Sequence, residues 1–198
     1  MYLKLKRIAD ITISFTVVIL LLPLFIIISL SILISSGAPV FYLQERVGKD
    51  WKKFKIIKFR SMVNNAENIG PGVSSYNDKR ITAIGKILRK FKIDELPQFI
   101  NVLLGDMSII GPRPELSKYV DRFKNEYSKI LKVKPGISDY ASVKFRNEAA
   151  ILQSANDSES FYLKDILPEK IKLYNKYIEE MNFFVDIKIL FSTFKAIL

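Results

Sequence analysis

From Ile11 to Ile34 the chain carries no charged side chain. As an α-helix that run would be about 36 Å long, enough to cross the hydrocarbon core of a bilayer. It exceeds the apolar region of a secretory leader, although Ser35-Ser36-Gly37-Ala38 has the small residues of a cleavage site. Two features argue against an uninterrupted span. Pro23 stands mid-run, where it removes a backbone donor and clashes with the preceding turn. Basic residues also flank both ends: Lys4, Lys6 and Arg7 before the run, Arg46, Lys49, Lys52, Lys53, Lys55, Lys58 and Arg60 after it. Positive charge favours the cytoplasmic side, so both flanks ask for the same side. A re-entrant helix broken at Pro23 satisfies both; a kinked single span, oriented by the stronger C-terminal cluster, satisfies one. Composition leaves the two open.

The rest of the chain is large enough for one small domain with a core. Its 198 residues include no cysteine and no histidine. That excludes disulfides, thiolate nucleophiles, Cys- or His-based zinc sites and Ser-His-Asp triads. Acid–base or nucleophilic chemistry falls to Asp, Glu, Lys, Tyr, Ser or Thr, and a metal would be a hard ion held by oxygen, such as magnesium. The net charge of +11 fits three kinds of partner: nucleic acid, an anionic membrane surface, or small anionic substrates.

Phe54 to Phe59 reads as a short strand of ambiguous period. Asn64 to Asn77, with Gly70-Pro71-Gly72, reads as a mobile loop. Ile81 to Phe91 reads as a basic helix. Asp94 to Leu104 reads as another, with Asp94 as its cap, Pro97 in its first turn and Gly105 at its end. Leu116 to Leu131 is amphipathic, with Tyr119, Val120, Phe123, Tyr127, Ile130 and Leu131 on one face. Pro135-Gly136 breaks the chain, and helices follow over Ile171 to Met181 and Phe183 to Leu198. The last is apolar enough to lie at a membrane interface or to pack on the core, and leaves room for a homodimer.

Three stretches bear on chemistry. Asp94-Glu95 has a bland reading, as helix cap and dipole partner. In a chain without His or Cys it has a sharper one: one carboxylate attacks phosphorus, while the pair holds magnesium against phosphate charge. Gly111-Pro112-Arg113-Pro114 fixes the backbone around one arginine, which suits either a structural turn or a guanidinium aimed at phosphate. In the basic run from Lys55 to Met62, Lys58 and Arg60 are candidates to meet phosphate, and Arg89 lies five residues before Asp94; each also fits a solvated basic face.

These stretches resemble the bacterial sugar transferases, the monotopic polyprenyl-phosphate phosphoglycosyl transferases. The resemblance rests on Lys6-Arg7-Ile8-Ala9-Asp10, Phe41-Tyr42-Leu43-Gln44-Glu45-Arg46-Val47-Gly48, Lys58-Phe59-Arg60-Ser61-Met62, Asp94-Glu95-Leu96-Pro97-Gln98 through Asn101, and Gly105-Asp106-Met107-Ser108 into Gly111-Pro112-Arg113-Pro114-Glu115. It implies an α+β, mostly helical fold in two parts: a membrane-embedded re-entrant helix over residues 1–38, broken at Pro23, and a catalytic domain with amphipathic interfacial helices over 39–198. That domain would sit on the cytoplasmic face of the bacterial inner membrane. Asp94 would attack the sugar-linked phosphate of a UDP-sugar, releasing UMP. Undecaprenyl phosphate would then take the phosphosugar, the first membrane step of a bacterial glycoconjugate. Glu95 would assist through magnesium. Lys58, Arg60, Arg89, Arg113, Arg146 and Asn147 would bind phosphate or substrate, with membrane lipids as further partners and no role for nucleic acid.

The chain departs from the family in two places. Leu22 precedes Pro23, where many members have Ser. Members also often read Pro-Gly-Ile-Thr-Gly-Trp-Ala-Gln-Val-Asn-Gly-Arg-Asn where this chain runs from Pro135 to Asn147 with Asp139, Ser142 and Phe145 out of pattern. The competing reading is a non-enzymatic, membrane-anchored basic module that binds anionic lipid or nucleic acid.

Overall fold

Pro23 divides the apolar run into two helices. The structure, a computed structural model, describes residues 2–197; Met1 and Leu198, which close the expected domain ranges and the last expected helix, lie outside the described residues. Helices α1 (Tyr2–Leu20) and α2 (Leu22–Ser36) meet at a 59° bend. Pro23 occupies the first turn of α2, where a missing N–H costs no ladder bond. Among the described residues no single helix is long and apolar enough to cross a membrane; the bent pair together is, by length and composition.

The remainder is mostly helical with two small sheets. Strands β1 (Phe41–Val47) and β2 (Lys53–Phe59) pair antiparallel, Phe41 opposite Phe59 and Val47 opposite Lys53. Helices α3 (Ala66–Ile69), α4 (Ala83–Lys90) and α5 (Gln98–Leu104) follow, then β3 (Ser108–Ile110). Next come α6 (Ser117–Arg122), α7 (Lys124–Ile130) and β4 (Gly136–Ser138), which pairs parallel with β3. Helices α8 (Tyr140–Lys144), α9 (Glu148–Gln153), α10 (Ser158–Phe161), α11 (Leu167–Glu180) and α12 (Phe183–Ile197) complete the chain.

Several elements differ from the sequence reading. The amphipathic stretch 116–131 is two helices, because Phe123 leaves the helical basin at φ −120° and ψ 42°. Both halves still bury aromatic side chains, Tyr119 and Tyr127, in one cluster with Tyr162 and Tyr174. The Asn64–Asn77 stretch contains one helical turn, and Arg80 ties it down by donating to Ala66 O (2.8 Å), Pro71 O (3.1 Å) and the Asp78 carboxylate.

Both ends of the bent pair are fastened to this body. Near the start of α1, Arg7 donates to Val102 O (2.6 Å) and Leu103 O (3.2 Å), placing a cation on the last carbonyls of α5. Buried Asp10 accepts from Ser108 Oγ (2.7 Å) and Ile109 N (3.1 Å) on β3. Helix α2 packs Phe25, Ile28 and Ile32, one helical stripe, against Phe59 and Leu88. The opposite surfaces of the pair leave Ile8, Phe15, Ile19, Ile26, Ile27 and Ile34 exposed, more apolar surface than a water-soluble face carries without a partner.

Asp10 predicts a measurable stability effect. Asp10→Ala strands two donors of β3 and is expected to lower unfolding stability in detergent micelles by ~2–4 kcal/mol, while Asp10→Asn, which keeps an acceptor, loses roughly half of that. An unchanged melting temperature in Asp10→Ala would mean that α1 docks without this contact.

Candidate active site

Asp94 and Glu95 do not start a helix. Lys92 adopts the left-handed conformation (φ 56°, ψ 20°) after α4, Ile93–Glu95 forms a single 3₁₀ turn, and α5 begins only at Gln98, with Pro97 in the cap position. The expectation of Asp94 as helix cap is therefore corrected: a left-handed lysine and a proline hold the two carboxylates on a turn between helices. That turn packs against β2 and α4. Asn101 of α5 fixes β2 beside it, accepting from Ile57 N (2.9 Å) and donating to Lys55 O (2.8 Å), which satisfies backbone groups on that side of the strand.

Glu95 is clamped. Lys58 Nζ of β2 donates to Glu95 Oε1 at 3.1 Å, and Arg113 Nη2 donates to the same oxygen. Burial alone would raise the Glu95 carboxyl, but the Arg113 guanidinium, followed by Lys58 and Lys92, holds it well below the usual range. Burial lowers Lys58 to about 8, against the attraction of Glu95. Arg113 stays firmly charged, because Glu95 outweighs the effect of its burial.

Asp94 is the opposite case. It is 6% exposed, and its Oδ1 is buried without a hydrogen-bond partner. Burial, then the neighbouring Glu95 charge, pushes its carboxyl above the ordinary value; Lys58, Arg89 and Lys92 pull the other way. Adjacent residues with one backbone thus have divergent proton affinities, set by what each oxygen touches.

The Arg113 loop is built from outside the dyad. Arg113 N donates to Asp139 Oδ2 (2.9 Å), and Asp139 also caps α8 through Ser142 N. Arg46 donates to Pro114 O (3.3 Å) and Glu115 Oε2 (3.3 Å), while Tyr162 OH donates to Glu115 Oε1 (2.6 Å). Gly111 and Gly136 pass so closely that a Cβ on either would meet the other segment's backbone. The prolines, the two glycines and the Asp139 bond together fix the direction of the guanidinium.

The other expected site residues divide. Arg89 reaches Ser74 Oγ through Nη2 and acts on Asp94, with Nη1 buried and unpartnered. Arg146 stands near Lys92, its guanidinium donating to Ala196 O (3.1 Å) and Lys90 O (3.1 Å). Asn147 occupies the cap position of α9 without capping it. The Arg60 guanidinium donates to Ser36 O (2.8 Å), Gly37 O and Asn64 Oδ1, closing the C-terminus of α2. The sequence reading missed Lys92, whose burial lowers its pKa beside Glu95; its only sequence signal is its place two residues before Asp94. It also missed the supporting roles of Arg46, Glu115 and Asp139.

Among the described residues no three acidic side chains gather into a metal cage. Magnesium does not need one: it takes one or two carboxylates and completes its shell with water and substrate phosphate. The unpartnered Asp94 Oδ1 beside Glu95 fits that demand.

The divergent pair gives a chemical test. Carbodiimides couple protonated carboxyls. Because Asp94 holds its proton more tightly than Glu95, it is expected to be modified ahead of Glu95, with its labelling falling as pH rises. Peptide mapping that finds Glu95 labelled first would contradict this arrangement.

The chain is similar to known proteins over nearly its whole length. Over 202 residues the chain is 39% identical to the UDP-N-acetylgalactosamine-undecaprenyl-phosphate N-acetylgalactosaminephosphotransferase of Aeromonas hydrophila, an alignment covering 100% of this chain and 44% of that protein. Over 193 residues it is 37% identical to the UDP-glucose:undecaprenyl-phosphate glucose-1-phosphate transferase of Escherichia coli, covering 96% of this chain and 39% of that protein. The undecaprenyl-phosphate galactose phosphotransferase of Salmonella typhimurium is 33% identical over 209 residues, covering 98% and 40%. The chain thus spans less than half the length of these relatives, whose names specify different sugars. The family described as bacterial sugar transferase matches residues 1–198, and the chain belongs to that family.

Proposed function

We propose that this chain is a phosphoglycosyl transferase that moves a sugar-1-phosphate from a UDP-sugar to undecaprenyl phosphate, with Asp94 as nucleophile. The observation that carries the reading is the contrast within the dyad: Glu95 Oε1 is held by two cations, while Asp94 Oδ1 is buried, unpartnered and next to Lys58, Arg89 and Lys92. A carboxylate oxygen with no hydrogen bond to lose, facing cations that attract a diphosphate, suits attack on phosphorus.

In the first step an Asp94 oxygen forms a bond to the sugar-bearing phosphorus. The bond from that phosphorus to the bridging oxygen breaks, and UMP leaves with the electron pair. In the second, an oxygen of undecaprenyl phosphate attacks the same phosphorus and the Asp94 carboxylate departs, restoring the enzyme and giving a lipid-linked diphosphate sugar. Arg113 and Lys58, oriented by Glu95, meet phosphate oxygens; Asp139 positions Arg113 through its backbone. Magnesium held by Asp94 and Glu95 would neutralise diphosphate charge. A charge-driven binding module would have no use for an unpartnered buried carboxylate beside a clamped one.

The membrane assignment belongs to the same proposal. Arg7 and Asp10 tie the start of the bent pair, and Arg60 its end, to one folded body. A pair anchored twice to the same domain dips into the bilayer and returns, leaving the domain from residue 39 onwards on one face. The basic flanks make that face the cytoplasmic side of the bacterial inner membrane. Helix α4, which carries Arg89, packs Leu88 against α2, so the dyad lies close to the lipid surface where a polyprenyl acceptor resides.

The test is nucleotide release from a panel of UDP-sugars, with undecaprenyl phosphate and magnesium. UMP from one or a few donors, reduced by about 10³-fold or more in Asp94→Asn, is expected. Release of UDP would mean that the sugar moves without its phosphate, and full activity in Asp94→Asn would remove Asp94 from the chemistry.

A further inference from the structure

A cationic cavity lies away from the dyad. It has a volume of about 170 Å³ and is lined by Lys6, Arg7, Lys49, Lys132 and Lys134, with Asp10 as the acidic member of the lining. It shares no lining residue with the Asp94–Glu95 cluster, and its room far exceeds the ~10–15 Å³ that one water needs.

The charges of this cavity are unevenly answered. Asp10 is occupied by β3, and Lys6 is paired with Asp186 at 2.7 Å. Arg7 is bonded to backbone carbonyls at the end of α5 and pairs with no carboxylate among the described residues. Among the described residues Lys49 pairs only with Asp50, at 3.9 Å, with both side chains about half exposed. Among the described residues Lys132 and Lys134 pair with no carboxylate. Arg7 and Lys134 converge: a Cβ on Gly105 would lie 3.5 Å from Arg7 Nη2 and 3.7 Å from Lys134 Nζ. Burial, and then repulsion from Arg7 and Lys49, lowers the Lys134 ammonium below its usual range, against the pull of Asp10 and Asp106. A fold that converges like charges around a cavity gains when an anion enters it.

The lining also identifies the kind of anion. Leu3, Val133 and Met181 share the cavity with the cations, and Leu3 of α1 is exposed. Cations next to apolar side chains, at the point where α1 leaves the folded body, match an amphiphile with its phosphate in the cavity and its chains along α1. We propose that this cavity is a binding site for the phosphate headgroup of an anionic glycerophospholipid, distinct from the acceptor substrate and serving to seat the base of α1 on the membrane. The proposal rests on the membrane reading above.

The test uses the full chain in lipid nanodiscs, with phosphatidylcholine alone or doped with phosphatidylglycerol. Doping is expected to raise the wild-type unfolding midpoint by about 5 °C or more. Lys132→Gln/Lys134→Gln should keep the wild-type midpoint in phosphatidylcholine and lose most of the rise. Lys79→Gln/Lys172→Gln, the same loss of charge elsewhere, should retain it. No rise in the wild type, an equal rise in the Lys132/Lys134 variant, or a rise reproduced by inorganic phosphate in undoped discs would overturn the proposal. Failure of the membrane reading itself would show separately, as a wild-type chain that does not enter discs of either composition.

Discussion

Glu95 between Lys58 and Arg113 is the contact on which the site depends. It joins three segments distant in sequence: β2, the 3₁₀ turn after α4, and the loop after β3. Removing water from three charges is unfavourable unless each meets an opposite partner with good geometry, and breaking one member of such a set leaves an uncompensated buried charge. The clamp therefore sets more than one distance. It holds Glu95 as an anion, fixes two cations beside the dyad, and leaves a negative charge beside Asp94 that raises the proton affinity of the second carboxylate.

Support for that contact radiates outwards. Asp139, Arg46 and Tyr162 hold the Pro-Arg-Pro loop from behind, and Asn101 holds β2. The same β2 ends at Phe59, which stacks on Phe41 and meets Phe25 of α2 edge-on. Lys58 and Phe59 are consecutive and point to opposite faces of the strand, as extended backbone requires. One side chain enters the cationic cluster and the next enters the seat of the apolar helix pair. The bent pair and the dyad are thus coupled through one strand rather than joined by a flexible tether.

Much of this was legible in residue types and order. The break at Pro23, the carboxylate pair in a chain without His or Cys, and the proline-flanked Arg113 each carry a local physical signal. What was not legible depended on direction or on long-range contact. Arg60 follows Lys58 by two residues, so strand alternation would place both on one face; the strand stops at Phe59 and Arg60 turns back to α2. Asp94 has the composition of a helix cap, but the left-handed Lys92 and Pro97 delay α5 to Gln98. The split at Phe123 has no Gly or Pro to announce it. Strands β3 and β4 have three residues each, too few for periodicity to register. Asp139, out of pattern for the family, proves to hold the Arg113 backbone, a role that only the fold brings within reach.

The central claim is that Asp94 forms a bond to phosphorus before the lipid acceptor takes part. Its most direct test is to mix purified protein, magnesium and the active UDP-sugar with no undecaprenyl phosphate, quench, and measure the intact mass with peptide mapping. The account predicts a gain of one phosphosugar on the peptide carrying Asp94, matched by one equivalent of UMP. An unmodified protein that releases UMP only once the acceptor is present would contradict it, leaving Asp94 to activate the acceptor or hold metal in a single-step transfer.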